Sequence, residues 1–149
     1  MFKNPTLTDR GTKAHDGWHE SDLPRRLNKR MVLCLGNLPQ AAVIERFFQE
    51  RGWIIRLAVN GDEARQLARD TDNCVVVLAE EAPEHESGWL TCWKLLNKKS
   101  KTRVVIIGDQ ESDLGIRQAA FVGATAYVNA SESARGICRA LHDADHCDD

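Results

Sequence analysis

Residues 52–64 read GWIIRLAVNGDEA, and this stretch contains the end of one helix, a strand and the start of a second helix. Gly52 is suited to ending a helix, because glycine readily adopts the left-handed conformation that follows a last helical turn. Apolar residues predominate over 53–59, which predicts a strand. Asn60 and Gly61 then predict the start of a helix that continues through Ala64, Leu67 and Ala68.

The same alternation continues on both sides of this stretch. Short apolar segments predict four more strands, over residues 31–35, 74–78, 103–107 and 126–128. The helical periods between them predict helices over residues 41–51, 88–97, 114–122 and 133–142. Strands that are apolar throughout must be covered on both faces. The sequence therefore predicts an α/β protein, with a doubly wound five-stranded parallel sheet between two layers of helices.

Composition sets the limits of this domain and of its function. The chain has 149 residues and a net charge of -2, which suits one globular domain and argues against a strongly basic nucleic-acid binder. We predict a flexible polar tail over residues 1–30, the domain over 31–142 and an acidic C-terminal tail over 143–149. With no apolar run of roughly 20 residues and no secretory signal, we expect a cytoplasmic protein whose five cysteines are reduced.

Three segments of the chain resemble the receiver domains of two-component response regulators. The Gly-aromatic start and the Asn-Gly-x-Glu-Ala end of residues 52–64 are typical of that family. Pro83 and Gly88-Trp89 resemble its loop after the third strand, and residues 123–128, GATAYV, resemble its fifth strand. The resemblance covers residues 31–142 and implies a flavodoxin-like fold with strand order 2-1-3-4-5.

The resemblance also implies a phosphoryl-transfer site, and this chain departs from it. In the family, two acidic residues after the first strand hold Mg²⁺, an aspartate after the third strand accepts the phosphoryl group, and a Ser or Thr and a Lys contact its oxygens. The acidic pair falls on Gly36 and Asn37, the hydroxyl position on Gly108 and the lysine position on Ala130. Because phosphoryl transfer requires a metal and a cation to neutralise developing charge, these residues predict an inactive site.

The acceptor position is ambiguous by one residue. Counting back from Pro83 places it on Ala79, whereas counting back from Gly88 places it on Glu80. The loop carries one extra residue, and we favour Ala79 because it directly ends the apolar run. The residues that follow are interpreted as a solvated acidic loop, and their spacing does not predict a metal site. They are Glu80, Glu81, Glu84, His85 and Glu86.

Tyr127 occupies the place of the aromatic residue that changes rotamer in receivers when the Ser or Thr moves toward the phosphoryl group. Gly108 has no side chain to move, so we expect that coupling to be missing and Tyr127 to hold one rotamer. The alternative is an ordinary strand residue whose hydroxyl lies in water.

The helix after Gly88 carries large apolar residues where receivers usually have charged ones. These are Leu90, Trp93 and Leu96, spaced three apart and therefore neighbours along one helical stripe. The inward positions fall on Thr91, Cys92 and Leu95. We interpret the stripe as a candidate interface, since tryptophan is enriched at binding hot spots. In the alternative, the helix is rotated and Trp89, Trp93 and Leu96 face the core.

These residues predict a phosphorylation-independent pseudo-receiver, a signalling or regulatory protein–protein interaction module. We expect a protein partner or a homodimer, no enzymatic activity, no cofactor or metal, and no nucleic acid or membrane bound by this domain. Two alternatives stay open. One is a working phosphoacceptor of a two-component system with an atypical site at Glu80 or Asp109. The other is a flavodoxin-like domain that binds a small ligand above Gly36 and Gly108.

Overall fold

A computed structural model describes residues 29–81, 86–99, 101–110 and 112–146. Residues 1–28 of the predicted tail, Pro83 and residues 147–149 of the predicted acidic C-terminal tail lie outside the described residues. Five strands alternate with five helices: β1 (Arg30–Cys34), α1 (Ala41–Gln49), β2 (Ile54–Leu57), α2 (Gly61–Arg69), β3 (Cys74–Ala79), α3 (Gly88–Lys98), β4 (Arg103–Gly108), α4 (Ser112–Val122), β5 (Ala126–Asn129) and α5 (Ala134–His146). No helix in these ranges is both long and apolar enough to cross a membrane.

The strands form one parallel sheet in the order β2-β1-β3-β4-β5, which confirms the predicted fold class and strand order. β3 lies at the centre, with Val76 paired to Val32 of β1 and to Val104 of β4. All of its residues from Cys74 to Leu78 are buried, because helices cover both faces of the sheet. The parallel arrangement brings the carboxyl ends of all five strands to one edge, where ligand sites of such sheets lie.

The core consists of one apolar layer on each face of the sheet. On one face, Val75 and Val77 of β3 pack with Phe48 of α1 and Ile137 of α5. On the other face, Val76 and Leu78 pack with residues of α2 and α3, among them Ala64, Ala68, Cys92 and Leu95. Adjacent strand residues therefore serve opposite layers, as the period of two in a strand requires.

The helix predicted from Asn60 and Gly61 begins as expected. The Asn60 Oδ1 accepts a hydrogen bond of 2.8 Å from the Glu63 backbone N, and the Glu63 Oε1 accepts one of 2.8 Å from the Val59 N. This reciprocal pairing of a cap side chain with a glutamate three residues on satisfies backbone donors that the first helical turn leaves free.

Most predicted boundaries differ from the structure by one or two residues, and three of the differences have a clear physical reason or consequence. β1 begins one residue earlier, at Arg30, which the sequence had assigned to the tail. β2 is shorter than the predicted 53–59, because this edge strand pairs only with β1 and its pairing ends at Leu57. α5 extends past the predicted end at His142 to His146, since no glycine or proline follows to stop it.

Candidate functional site

Six residues predicted to surround the site line one cavity at the carboxyl edge of the sheet. The cavity has a volume of about 580 Å³ and is lined mainly by the ends of β1, β3 and β4 and the loops that follow them. The six are Gly36, Asn37, Ala79, Glu80, Gly108 and Ala130. Both candidates for the acceptor position, Ala79 and Glu80, therefore face this space.

Glu80 is the one buried carboxylate among these six residues, with 8% of its surface exposed. Its Oε1 accepts hydrogen bonds from the Tyr127 hydroxyl at 3.2 Å and from the Gln110 Nε2 at 2.9 Å. The space that the carboxylate occupies exists because residue 108 is glycine. A Cβ atom added at Gly108 would overlap the Glu80 carboxylate and would lie 2.5 Å from the Tyr127 hydroxyl oxygen.

Tyr127 is held on several sides. Its hydroxyl oxygen accepts a hydrogen bond of 2.9 Å from the Gln110 backbone N and its ring stacks on Trp89, with centroids 5.8 Å apart. A side chain at position 115 of α4 would overlap the ring, so Gly115 makes room for it. Burial raises the pKa of Tyr127 to about 12, and the neighbouring Glu80 carboxylate acts in the same direction. The alternative of a hydroxyl lying in water is therefore wrong.

Gln110 connects this group to the turn between β4 and α4. Besides the bonds to Glu80 and Tyr127, its backbone oxygen accepts a hydrogen bond of 2.8 Å from the Asn129 Nδ2. The turn is thereby tied to β3 and β5 at once. Gln110 was not predicted as a site residue, and Trp89 was predicted only as a possible core residue and not as a partner of Tyr127. A glycine within the α4 pattern, Gly115, was a signal that another group approaches that helix closely.

Glu86 corrects the interpretation of the acidic loop as solvated. Its carboxylate accepts hydrogen bonds from the Arg65 Nε at 3.0 Å, the Thr91 Oγ1 at 2.6 Å and the Lys94 Nζ at 3.2 Å. Burial alone would raise its pKa, but these hydrogen bonds outweigh burial and lower the pKa to about 2. Glu86 thus ties the start of α3 to α2. Glu81 is exposed, and Glu84 and His85 lie outside the described residues.

The remaining lining of the cavity includes two exposed carboxylates, Glu81 and Asp109, the second of which is the other predicted alternative acceptor. Gly36 has a φ of +56° and, like Asn37, is exposed. The Ala130 backbone N donates a 2.6 Å hydrogen bond to the Gly108 oxygen. Cys34 is half-buried, and burial raises the pKa of its thiol to about 11. Within the described ranges, no three His, Cys, Asp or Glu residues are grouped closely enough to hold a metal ion.

Comparison with solved structures identifies the architecture. A two-component response regulator from Clostridium difficile has a TM-score of 0.66 and 19% identity, over 78% of this chain and 94% of the other. The chemotaxis response regulator CheY4 of Vibrio cholerae has a TM-score of 0.67 and 16% identity, over 78% and 98%. A LuxR-family DNA-binding response regulator from Staphylococcus aureus has a TM-score of 0.65 and 18% identity, over 79% and 99%.

The chain has the receiver fold. No protein-family model matches the sequence, and no curated protein matches it. A further solved structure of this fold is described as belonging to "a novel family of redox sensors in the streptococci evolved from two-component response regulators". It has a TM-score of 0.67 and 15% identity, over 78% of this chain and 51% of the other.

On this receiver fold, α3 presents the candidate interface only in part. Thr91, Cys92 and Leu95 are buried, as the family pattern predicts. Leu90 is 41% and Trp93 51% exposed, so the alternative is wrong for Trp93, whereas Trp89 and Leu96 pack against the core as that alternative predicted. Leu96 departs from the predicted stripe, because it is half-buried and packs against the core together with Val122 and Tyr127.

Proposed function

We propose that this receiver-fold domain is a phosphorylation-independent pseudo-receiver, a signalling or regulatory module that binds a protein and catalyses no reaction. The observation that carries the proposal is the position of the Glu80 carboxylate. It fills the space beneath Gly108, where receivers carry a hydroxyl, and is bonded to Tyr127 and Gln110. A carboxylate held in this way takes the place of the missing side chain, and its Oε1, which already accepts two hydrogen bonds, is a poor nucleophile toward a phosphodonor.

The residues present do not fit the Mg²⁺ of a receiver site. Mg²⁺ takes six oxygen ligands in near-octahedral geometry, usually one or two carboxylates together with waters and substrate phosphates. Gly36 has no side chain, Asn37 offers a neutral oxygen, and the Glu80 Oε1 already accepts two hydrogen bonds. Ala130 also supplies no cation in place of the family's lysine. The proposed function therefore involves no step through a metal.

Exposed apolar side chains on α3 support protein binding. Leu90 and Trp93 are spaced three residues apart and both are largely exposed. Burying a large apolar side chain contributes about 1.5–3 kcal/mol before the costs of association are counted. Two such residues on one helix face suit a contact with a protein. We include a cytoplasmic location in the proposal on the grounds of the sequence alone.

Small-ligand binding is a second candidate function, favoured by the cavity itself. Its volume of about 580 Å³ lies in the range of ligand pockets, roughly 300–1,000 Å³. Redox sensing is the property named for the streptococcal structure, and a thiol-based form of it has less support in this chain. A reactive cysteine needs a lowered pKa, whereas burial raises the pKa of Cys34 to about 11 and that of Cys92 to about 12.

The central test is incubation with acetyl phosphate and Mg²⁺, followed by intact-mass measurement. We expect no gain of one phosphate, while a receiver with a complete site, treated alongside, gains it. A phosphate gain that disappears in Glu80→Gln or Asp109→Asn would establish the alternative of an atypical phosphoacceptor. For the second candidate, a metabolite that shifts the melting temperature of the wild-type protein but not of Gly36→Trp would place a ligand in the cavity.

A further inference from the structure

α1 and α5 enclose a groove on the face of the sheet opposite α3. It has a volume of about 600 Å³ and is lined by two types of side chain. Val43, Phe47 and Cys138 supply apolar surface. Positive charges outnumber negative ones in the lining, with four arginines and one carboxylate. These residues are Arg46, Arg51, Arg135, Arg139 and Glu50, and His142 also lines the groove.

The arginines converge because of their helical spacing. Arg135 and Arg139 are four residues apart on α5, so they share one face, and Arg46 comes from the neighbouring α1. All three are exposed, and within the described residues their side chains make no hydrogen bond or ion pair. Arg51 is placed differently: it donates to the Phe47 backbone oxygen at 3.0 Å and lies over the Phe47 ring, 3.5 Å from its centroid.

This local charge is opposite in sign to that of the whole chain, which is -2. Like charges repel, so an anion that contacts the exposed guanidinium groups is favoured electrostatically at this groove. Guanidinium groups bind carboxylates through paired hydrogen bonds, which lysine cannot match in geometry. The exposed Val43 and the half-buried Phe47 add an apolar floor beside the charges.

We infer that the α1–α5 groove binds an acidic segment of a protein partner, one that carries several carboxylates beside an apolar side chain. Charge complementarity with the three arginines selects the carboxylates, and the floor at Val43 and Phe47 selects the apolar residue. Nucleic acid fits less well, because the chain is acidic overall.

This inference goes beyond the proposed function, since the groove shares no residue with the cavity or with the exposed part of α3. It would stand even if the cavity accepted a phosphoryl group. It would also stand if Trp93 bound nothing, so the two proposals fail independently.

The test uses the full chain and a fluorescein-labelled peptide, Glu-Leu-Glu-Glu-Leu-Glu-Glu, followed by fluorescence anisotropy at low and moderate salt. A peptide with glutamine in place of every glutamate measures the contribution of charge. We expect the acidic peptide to bind and Arg135→Gln/Arg139→Gln to weaken binding about tenfold or more, since each charged hydrogen bond contributes on the order of one tenfold step. Thermal melts confirm that the variant is folded.

The matched control is Arg69→Gln/Arg117→Gln, which removes the same charge from exposed positions on α2 and α4. Its affinity for the peptide should equal that of the wild type. Equal losses in both variants, equal binding of the glutamine peptide, or no binding of the acidic peptide would each overturn the inference. Tighter binding of a DNA duplex that Arg135→Gln/Arg139→Gln abolishes would overturn it in favour of a nucleic-acid site.

Discussion

Glu80 and residue 108 compete for one volume. Because a Cβ atom at position 108 would overlap the Glu80 carboxylate and crowd the Tyr127 hydroxyl, we predict that Gly108→Ala lowers the free energy of unfolding by about 1–3 kcal/mol, the usual cost of overpacking. Urea denaturation measures this. The same substitution should cost less in a Glu80→Ala background, where the carboxylate is gone. An equal cost in both backgrounds would show that the overlap is relieved elsewhere.

Tyr127 is the chain's single tyrosine, so its ionisation can be followed without interference from another phenol. Burial raises its pKa to about 12 from the ordinary value of 10.0. A pKa raised on folding gives stability that is fully present below pH 10 and is lost as the pH rises toward 12. Tyrosinate absorbance should therefore appear near pH 12 in the folded protein. Tyr127→Phe should remove that part of the pH dependence of unfolding; an absorbance change near pH 10 would contradict the burial argument.

Glu86 links α2 to α3 through its hydrogen bonds to Arg65 and Thr91. Its pKa is about 2 in the folded protein against 4.5 ordinarily. A lowered pKa gives stability that is present above pH 4.5 and is lost as the pH falls toward 2. Glu86→Gln should flatten the dependence of unfolding free energy on pH across that window. Glu50→Gln, which removes an exposed carboxylate at the C-cap of α1, serves as the charge-matched control.

The exposed side of α3 gives a prediction that separates binding from folding. Trp93→Glu should change the free energy of unfolding by less than about 0.5 kcal/mol, as exposed substitutions usually do, because Trp93 is 51% exposed. It should nevertheless abolish self-association or partner capture, measured by sedimentation and by pull-down. Leu95→Glu, directed into the core on the same helix, should unfold the protein. Partner capture that survives Trp93→Glu would remove α3 from the interface.

Helices and strands were predictable here because their signals are local. The apolar run of β3 and the cap at Asn60 both depend on residues adjacent in sequence. Leu96 was misassigned for a different reason. Helical spacing places Leu96 beside Trp93, but the chain just after α4 covers it. A Cβ atom added at Gly123 would lie only 3.1 Å from the Leu96 side chain. The burial of Leu96 depends on how neighbouring elements pack, and it cannot be predicted from residue spacing along one helix.

For the whole molecule, the sequence predicted which residues surround the cavity but not how they bond. Parallel strands bring their carboxyl ends together, so Gly36, Gly108 and Ala130 could be placed at one edge. The partners of Glu80 could not, because Gln110 and Tyr127 lie 30 and 47 residues away along the chain. The same holds for Glu86, whose bond to Arg65 spans 21 residues. Long-range polar pairing is set by the packed structure.

The shared volume at Glu80 and Gly108 also governs which mutational routes are open to this chain. A serine or threonine placed at 108 would overlap the carboxylate, while removal of Glu80 alone leaves the Tyr127 hydroxyl without its acceptor and the Gln110 amide bonded only to Gln118. Each single step toward a working hydroxyl position therefore passes through a less stable protein, and only the paired change avoids it. The mutual dependence of Glu80 and Gly108 therefore makes the loss of the hydroxyl position difficult to reverse, even without selection against phosphoryl transfer.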